Sequence, residues 1–368
     1  MAFGFFKKGK KQKQSSSDKY DNLLVKEIVQ ETSDAITIVF EQPENKISYD
    51  SGQFLTLIVP IDGKEVRRAY SLSSSSSVDE DLAVTIKRVE GGLMSNYLPD
   101  NLKVGDTLKV MDPMGTFTTQ FDVKNKRHFI QFAGGSGITP MMSIIKSTLI
   151  QEPESIVSLI YCNRNIDSII FKQKLEELET NYEGRLHVIH VLDDAPMNWQ
   201  GYSGLLNKDM LTSLFERIPD WGTDNTTYLM CGPEGMMKNA ESLLDGLNIP
   251  KERVFKESFV QGIIDKDPSK DEYKDELVER MVTVIYDGEE HKINVAPNAS
   301  ILESALDKDI DLPYSCQSGL CTACRGKCVS GKVKLDEEEG LSESELDEGY
   351  VLTCVGHPLT DDVVIEIG

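Results

Sequence analysis

Between residues 20 and 122 the chain alternates short apolar-rich runs with turn residues. Segments 23–30, 35–41, 52–59, 69–73, 82–88 and 107–111 are rich in β-branched and apolar residues and bounded by Pro, Gly, Asp and Asn, which predicts strands. That many short strands in about 100 residues imply an antiparallel β-barrel. The pattern then changes. Apolar runs at 129–133, 156–161, 187–192 and 227–231 alternate with helical patterns at 141–150, 171–178 and 235–247, which implies an α/β domain with a parallel sheet. Residues 261–279 are polar, dense in both charges and without periodicity, and read as a linker. The remainder predicts a strand at 281–286, a hairpin turn at Asp287-Gly288, a short helix at 301–308, a cysteine-rich loop and a closing strand at 363–367. The expected division is therefore a tail at 1–19, a barrel at 20–123, an α/β domain at 124–260, the linker, and an α+β domain at 280–368. No internal repeat is present.

A chain of 368 residues holds roughly two or three domains. With 39% hydrophobic and 27% charged residues it suits a soluble globular protein, and no run of 18 apolar residues offers a membrane span. The sequence opens Met-Ala-Phe-Gly-Phe-Phe and only then turns basic, at Lys7, Lys8, Lys10, Lys11 and Lys13. A secretory signal has the opposite order, so residues 1–19 are expected to be a disordered basic tail and the protein cytoplasmic. The net charge of −22 disfavours nucleic acid; it suits steering of a basic protein partner, or simply solubility.

Of seven cysteines, four fall between Cys316 and Cys328, a crowding that in a cytosolic chain points to metal rather than disulfides. Cys316, Cys321 and Cys324 give C-x4-C-x2-C, and Cys354 follows after 29 residues, the plant-type spacing for a 2Fe-2S cluster. Gly319 and Gly326 lighten the loop so that its backbone can approach the sulfides. A Rieske centre would need a histidine pair that is absent here, and zinc a second Cys-x-x-Cys knuckle. Cys328 does not match the spacing and reads as a small packed residue. The segments Pro313-Tyr314-Ser315-Cys316, Cys321-Thr322-Ala323-Cys324-Arg325-Gly326 and Gly349-Tyr350-Val351-Leu352-Thr353-Cys354 resemble the plant-type ferredoxins, whose fold is β-grasp-like.

Within the first region stands Arg68-Ala69-Tyr70-Ser71, an arginine fork that can neutralise a pyrophosphate beside an aromatic ring and a hydroxyl. This R-x-Y-S pattern resembles the ferredoxin-NADP reductase family, which implies that Tyr70 meets one face of an isoalloxazine and Ser71 the flavin N5. Thr85-Ile86-Lys87 stands where that family's adenine-side strand runs. Gly92, Met94 and Ser95, in Gly91-Gly92-Leu93-Met94-Ser95, resemble its phosphate-binding helix start, which favours FAD over FMN. Gly115 and Phe117 match the segment leaving the barrel, and the serine run at 73–77 reads as a flexible turn.

Gly134-Gly135-Ser136-Gly137-Ile138-Thr139-Pro140 follows an apolar strand and opens a helix; small residues let the backbone approach a pyrophosphate, and Pro140 suits the first turn. Cys231-Gly232-Pro233-Glu234-Gly235-Met236 resembles the family's C-G-P motif, in which the cysteine lies beside the nicotinamide; Cys231 also reads as a buried strand-end residue. Glu257-Ser258-Phe259 resembles the acidic-x-aromatic end of the reductase unit, with Phe259 shielding the flavin. The resemblance thus gives Ser71, Cys231 and Glu257 catalytic places. At the end of the second expected strand stands Arg164, with no acid before Asp167, which leans towards NADPH over NADH, although Arg164 also reads as a surface charge.

In order, flavin barrel, nucleotide domain and ferredoxin domain resemble the reductase components of multicomponent bacterial oxygenases, above all the reductases of phenylacetyl-CoA epoxidase type and their ketosteroid and aromatic hydroxylase relatives. The resemblance implies electron flow from NAD(P)H through FAD to a 2Fe-2S cluster and on to an oxygenase component. The alternative is a non-catalytic, cluster-bearing redox sensor or scaffold on a reductase fold.

Overall fold

The structure, a computed structural model, describes residues 20–259 and 277–368. The expected tail and nearly all of the expected linker lie outside the described residues.

The first unit comprises β1 (Tyr20–Thr32), β2 (Ala35–Phe40), β3 (Phe54–Ile61), β4 (Lys64–Ser71), β5 (Leu82–Lys87), α1 (Leu93–Asn101) and β6 (Thr107–Met111). The strands form one antiparallel sheet in the order β4-β3-β6-β1-β2-β5. Its two ends meet: Leu72 bridges Val84, and the Ser73 N–H donates to the Ala83 carbonyl at 2.8 Å, so the sheet closes into a barrel. Ile38, Phe40, Leu55, Leu57, Val84 and Ile86 fill its interior. Each such buried side chain contributes roughly 1.5–3 kcal/mol.

The second unit comprises β7 (His128–Gly134), α2 (Ile138–Gln151), β8 (Ile156–Asn163), α3 (Lys172–Asn181), β9 (Leu186–Leu192), β10 (Tyr202–Ser203), α4 (Lys208–Phe215), β11 (Thr226–Cys231), α5 (Glu234–Gly246) and β12 (Val254–Glu257). All six strands run parallel in the order β10-β9-β8-β7-β11-β12. From β7 the chain first builds outward through β8 to β10, then returns to β7's other edge with β11. The carboxyl ends of β7 and β11 therefore flank the topological switch point, where open α/β sheets bind ligands. The short elements β10, α4 and β12 go beyond the expected pattern; Val-Phe-Lys-Glu of β12 carries no alternation that marks a strand, and pairing with β11 alone makes it one. The helix expected from residue 171 begins at Lys172. Phe171 adopts a φ of 60°, and its N–H serves the Glu31 carboxylate of β1, a partner from outside its own segment.

The serine run at 73–77 is not a flexible turn. Ser73, Ser74 and Ser75 are buried against α2. Ser143 Oγ donates to the Ser74 carbonyl at 2.5 Å, and Ser147 Oγ lies 2.7 Å from Ser75 Oγ and 2.5 Å from Ser51 Oγ. Lys146 closes the seam on Asp79 at 2.5 Å. Small hydroxyl residues let the two backbones come close; the Ser51 and Ser75 hydroxyls meet Ser147 across the seam, whereas those of Ser73 and Ser74 are held within the barrel by Thr85 and Tyr49.

The third unit comprises β13 (Arg280–Tyr286), β14 (Glu289–Val295), α6 (Ile301–Leu306), β15 (Arg325–Ser330), β16 (Val333–Leu335), α7 (Glu343–Asp347), β17 (Tyr350–Leu352), β18 (Gly356–Pro358) and β19 (Val364–Ile367). Its sheet has the order β14-β13-β19-β15-β17, with β13 and β19 parallel and β16–β18 a separate ribbon. The β13–β14 hairpin turns at Asp287 and Gly288, both with positive φ (56° and 79°), as a tight two-residue turn requires. Gly326 does not belong to the cysteine loop: it lies in β15, where a Cβ would meet Ile365 and Ile367 of β19. Its smallness serves the sheet, and Gly319, with φ 76°, alone serves the loop.

Replacing Ser147 with alanine is expected to cost about 1–3 kcal/mol, because buried hydroxyls on Ser51 and Ser75 lose a partner. The exposed Ser76→Ala should stay within about 0.5 kcal/mol. Denaturation midpoints of the two variants measure the contrast; equal midpoints would return the run to a simple turn.

Candidate functional site

A cleft of about 670 Å³ opens where the three units meet. The barrel contributes Arg68, Tyr70 and Ser71 of β4, Thr85 and Lys87 of β5, and Gly92, Met94 and Ser95 at the start of α1. Gly134, Gly135, Gly137, Thr139, Gly232, Pro233, Glu257 and Phe259 come from the second unit, and Cys316, Leu320 and Cys321 from the third. Arg68 Nη1 donates to the Arg67 carbonyl at 2.7 Å, fixing the fork at the wall. Burial raises the Tyr70 pKa, so its ring meets the cleft as a neutral phenol. Thr85 Oγ1 is tied to Thr37 at 2.7 Å and Ser73 at 3.0 Å.

Two helix N-termini face this space. Neither α1, capped by Gly92, nor α2, capped by Gly137, has a side-chain cap hydrogen bond or an acid in its first turn. Their leading N–H groups and partial positive charge suit phosphate oxygens. The glycines bring two turns into direct contact. A Cβ on Gly137 would collide with the Cys231 carbonyl, one on Gly134 with the Pro233 ring, and one on Gly232 would come within 2.8 Å of the Gly134 nitrogen. Met236 backs this junction from α5 rather than lining the cleft, and Pro140 is buried within α2. The arrangement fits a flavin dinucleotide along the barrel wall and a nicotinamide dinucleotide across the switch point.

Ser71, Cys231 and Glu257, separate in sequence, converge. Ser71 Oγ donates to Glu257 Oε2 at 3.1 Å, and Cys231 pairs with Glu257 in the β11–β12 ladder. Burial pushes the Glu257 carboxyl up to about 7, against the opposing pull of the Ser71 hydrogen bond. Burial, then the Glu257 charge, raise the Cys231 thiol well above its ordinary value, so Cys231 is a neutral, shape-giving group beneath the turn. Arg164 lies elsewhere, exposed at the carboxyl end of β8 and beside Asp193, whose carboxyl is raised by burial and lowered by the Arg164 charge.

In the third unit, Cys316 and Cys321 Sγ are 3.2 Å apart, and Cys354 lies within hydrogen-bond reach of Cys316 and Cys324. The four sulfurs form one group. The Ser318 N–H donates to Cys316 Sγ at 3.4 Å, and the buried hydroxyls of Ser315 and Thr322 have no partner among the described residues. Buried hydroxyls around gathered thiols fit a 2Fe-2S cluster, which supplies acceptor sulfides. Cys328 packs on the neighbouring core with Sγ against the Ser330 carbonyl, apart from this group.

Phe54 and Leu320 were not singled out in sequence. Phe54 pairs with Ser71 in the β3–β4 register, which only strand pairing reveals. Leu320 carried a signal: an apolar side chain at the tip of a cysteine loop has no part in chelation, and it is buried in the cleft.

An unfolded glutamate titrates near about 4.3. Between there and about 7 the folded state keeps a proton on Glu257 that the unfolded chain has released, so stability falls as pH rises through that window. Glu257→Gln should flatten the profile by about 2 kcal/mol, less than a fully buried carboxyl would give because some solvent contact remains. Unfolding midpoints of both proteins at pH 5 and pH 8 test this.

Residues 22–119 match the oxidoreductase FAD-binding domain, 132–242 the oxidoreductase NAD-binding domain, and 284–359 the 2Fe-2S iron-sulfur cluster binding domain. The chain is 36% identical to one of the subunits of 1,2-phenylacetyl-CoA epoxidase from Escherichia coli, covering 94% of this chain and 97% of that one. It is also 36% identical to the ferredoxin reductase component of 3-ketosteroid-9-alpha-monooxygenase from Rhodococcus rhodochrous, over 94% and 96%. The solved phthalate dioxygenase reductase shares the three-part fold, with a TM-score of 0.57 at 22% identity over 95% and 99% of the two chains. Among the described residues no helix is long and apolar enough to cross a membrane. A relative named as a reductase component, together with the FAD- and NAD-binding domains, supports an oxidoreductase over a non-catalytic sensor or scaffold. Flavin barrel, nucleotide sheet and four-cysteine unit in this order, over nearly the whole chain, make it a member of the ferredoxin-reductase-like family of oxygenase reductases.

Proposed function

We propose that the chain draws electrons from NADPH through FAD to its 2Fe-2S cluster and delivers them singly to an oxygenase acting on an aromatic compound, with phenylacetyl-CoA epoxidase as the first candidate. One observation carries the reading: Tyr70, Ser71 and Glu257 share a single cleft with Cys316 and Cys321. FAD, when bound, accepts electrons in pairs and releases them one at a time, the conversion that lets a two-electron nucleotide serve a one-electron cluster.

On this reading Arg68 and the start of α1 hold the flavin pyrophosphate, and Tyr70 covers one ring face. Phe259, which also lines the cleft, would shield the other face. Gly134, Gly135, Gly137 and Thr139 cradle the nucleotide pyrophosphate, and Cys231, Gly232 and Pro233 shape the approach of its ring. Ser71 Oγ would be the hydroxyl offered to the flavin ring. Glu257, poised near neutrality, holds or releases a proton through Ser71. Cys316, Cys321, Cys324 and Cys354 ligate the cluster. Thr85 and Lys87 line the adenine side; Lys87 Nζ stands 3.8 Å from Asp34. The choice of NADPH is supported by Arg164, exposed at the end of β8, with Asp193 as its competitor for the guanidinium.

Cys316→Ser is expected to abolish reduction of a one-electron protein acceptor while NADPH still bleaches the flavin at the wild-type rate. Loss of both activities together would argue against separate flavin and cluster stations. Arg164→Ala should lower the ratio of kcat/KM for NADPH over NADH roughly tenfold, the loss of one charge-assisted hydrogen bond. A wild-type preference for NADH would overturn the nucleotide assignment and leave the electron path untouched.

A further inference from the structure

Strand β4 carries adjacent arginines with different surroundings. Arg68 lines the cleft, whereas Val66 and Tyr70 pack on the barrel core, so strand alternation turns Arg67 to the barrel's outer surface. An arginine there is ordinarily solvated, yet Arg67 is only 7% exposed. The third unit covers it. Arg67 Nη2 lies 3.2 Å from Asp311 Oδ1, and its guanidinium lies 4.3 Å from the centre of the Tyr314 ring. On the barrel side Glu65 receives Nε at 2.9 Å, and Tyr20 donates its hydroxyl to the other Asp311 oxygen. Lys109 Nζ sits 4.1 Å from the centre of the Tyr20 ring.

Taking a guanidinium out of water costs more than a hydrocarbon in the same place, so stability alone gives no reason for an arginine here. What a planar fork adds is geometry: it fixes the angle and distance of a carboxylate and offers a flat face to an aromatic ring. Both partners lie on the segment that leads into Cys316, two residues beyond Tyr314. We propose that Arg67 is a positioning residue that clasps Asp311 and Tyr314, docks the ferredoxin unit on the barrel, and thereby holds the Cys316–Cys321 edge in the flavin cleft. The proposal rests on the electron path set out above. It adds that the path is held closed by one polar clasp outside the cofactor sites.

The test uses the full-length protein loaded with flavin and cluster, as wild type, Arg67→Ala, Asp311→Ala and the double variant. Bleaching of the flavin by NADPH should proceed at the wild-type rate in all four. The later phase, in which the cluster is reduced, should slow roughly tenfold in each single variant, the effect of removing one charge-assisted hydrogen bond from a docking equilibrium. The double variant should be slowed by less than the product of the two single effects, because both delete the Arg67–Asp311 contact, while Asp311→Ala alone also removes the Tyr20 bond and Arg67→Ala the Tyr314 ring contact. Small-angle scattering without nucleotide should show a larger radius of gyration in all three variants. Cluster reduction within twofold of wild type together with unchanged scattering in Asp311→Ala would overturn the proposal, even if Arg67→Ala failed to fold. So would multiplying effects in the double variant. Absence of flavin bleaching in the wild type would instead refute the electron path itself.

Discussion

The carbonyl of Cys231 occupies the space that a side chain on Gly137 would need, and a Cβ on Gly232 would also press on the Gly134 backbone. This backbone contact joins the turns after β7 and β11 at the switch point of the sheet. With only hydrogen atoms at these positions, α2 can begin without a side-chain cap and the Cys231 thiol can lie directly beneath the turn. β12 extends the same edge by pairing in register with β11, which carries Glu257 to Cys231 and within hydrogen-bond distance of Ser71 on the barrel. A larger residue at Gly137 would move the nucleotide turn, the thiol and the carboxyl together.

The units are joined by different chemistry. Barrel and nucleotide unit meet along a row of short hydroxyl side chains, with Ser147 bridging Ser51 and Ser75. Such contacts are direct and short-ranged, and they tolerate little sliding. The ferredoxin unit meets the barrel through an arginine, a carboxylate and aromatic rings. Here the angle of approach is set at one planar fork rather than along a row.

The glycine turns, the cysteine spacing and most strand positions were legible because each is set by residues close together in the chain. What was not legible depends on partners far away. The serine run has the composition of a turn, and its burial is decided by Ser143 and Ser147, about seventy residues later. The four residues of β12 become a strand only through β11. Of the pair Arg67 and Arg68, the sequence shows two equivalent cations; only the pairing register of β4 sends them to different surfaces. Gly326 looked like part of the cysteine loop because it is adjacent to it, whereas its small size answers to Ile365 and Ile367 across the sheet.

The two walls of the cleft differ in what they can accept. On one side stands Glu257, a carboxyl titrating around neutrality and reached through the Ser71 hydroxyl. The other wall carries Cys316, Cys321 and the buried hydrocarbon of Leu320. On the proposed reading, charge arriving with the nucleotide is sorted at this point: protons drain towards the carboxyl side, and electrons cross unaccompanied to the sulfur side. On the same reading Leu320 stands as an apolar spacer between the two, and the acidity of the medium would act at the flavin end rather than at the cluster.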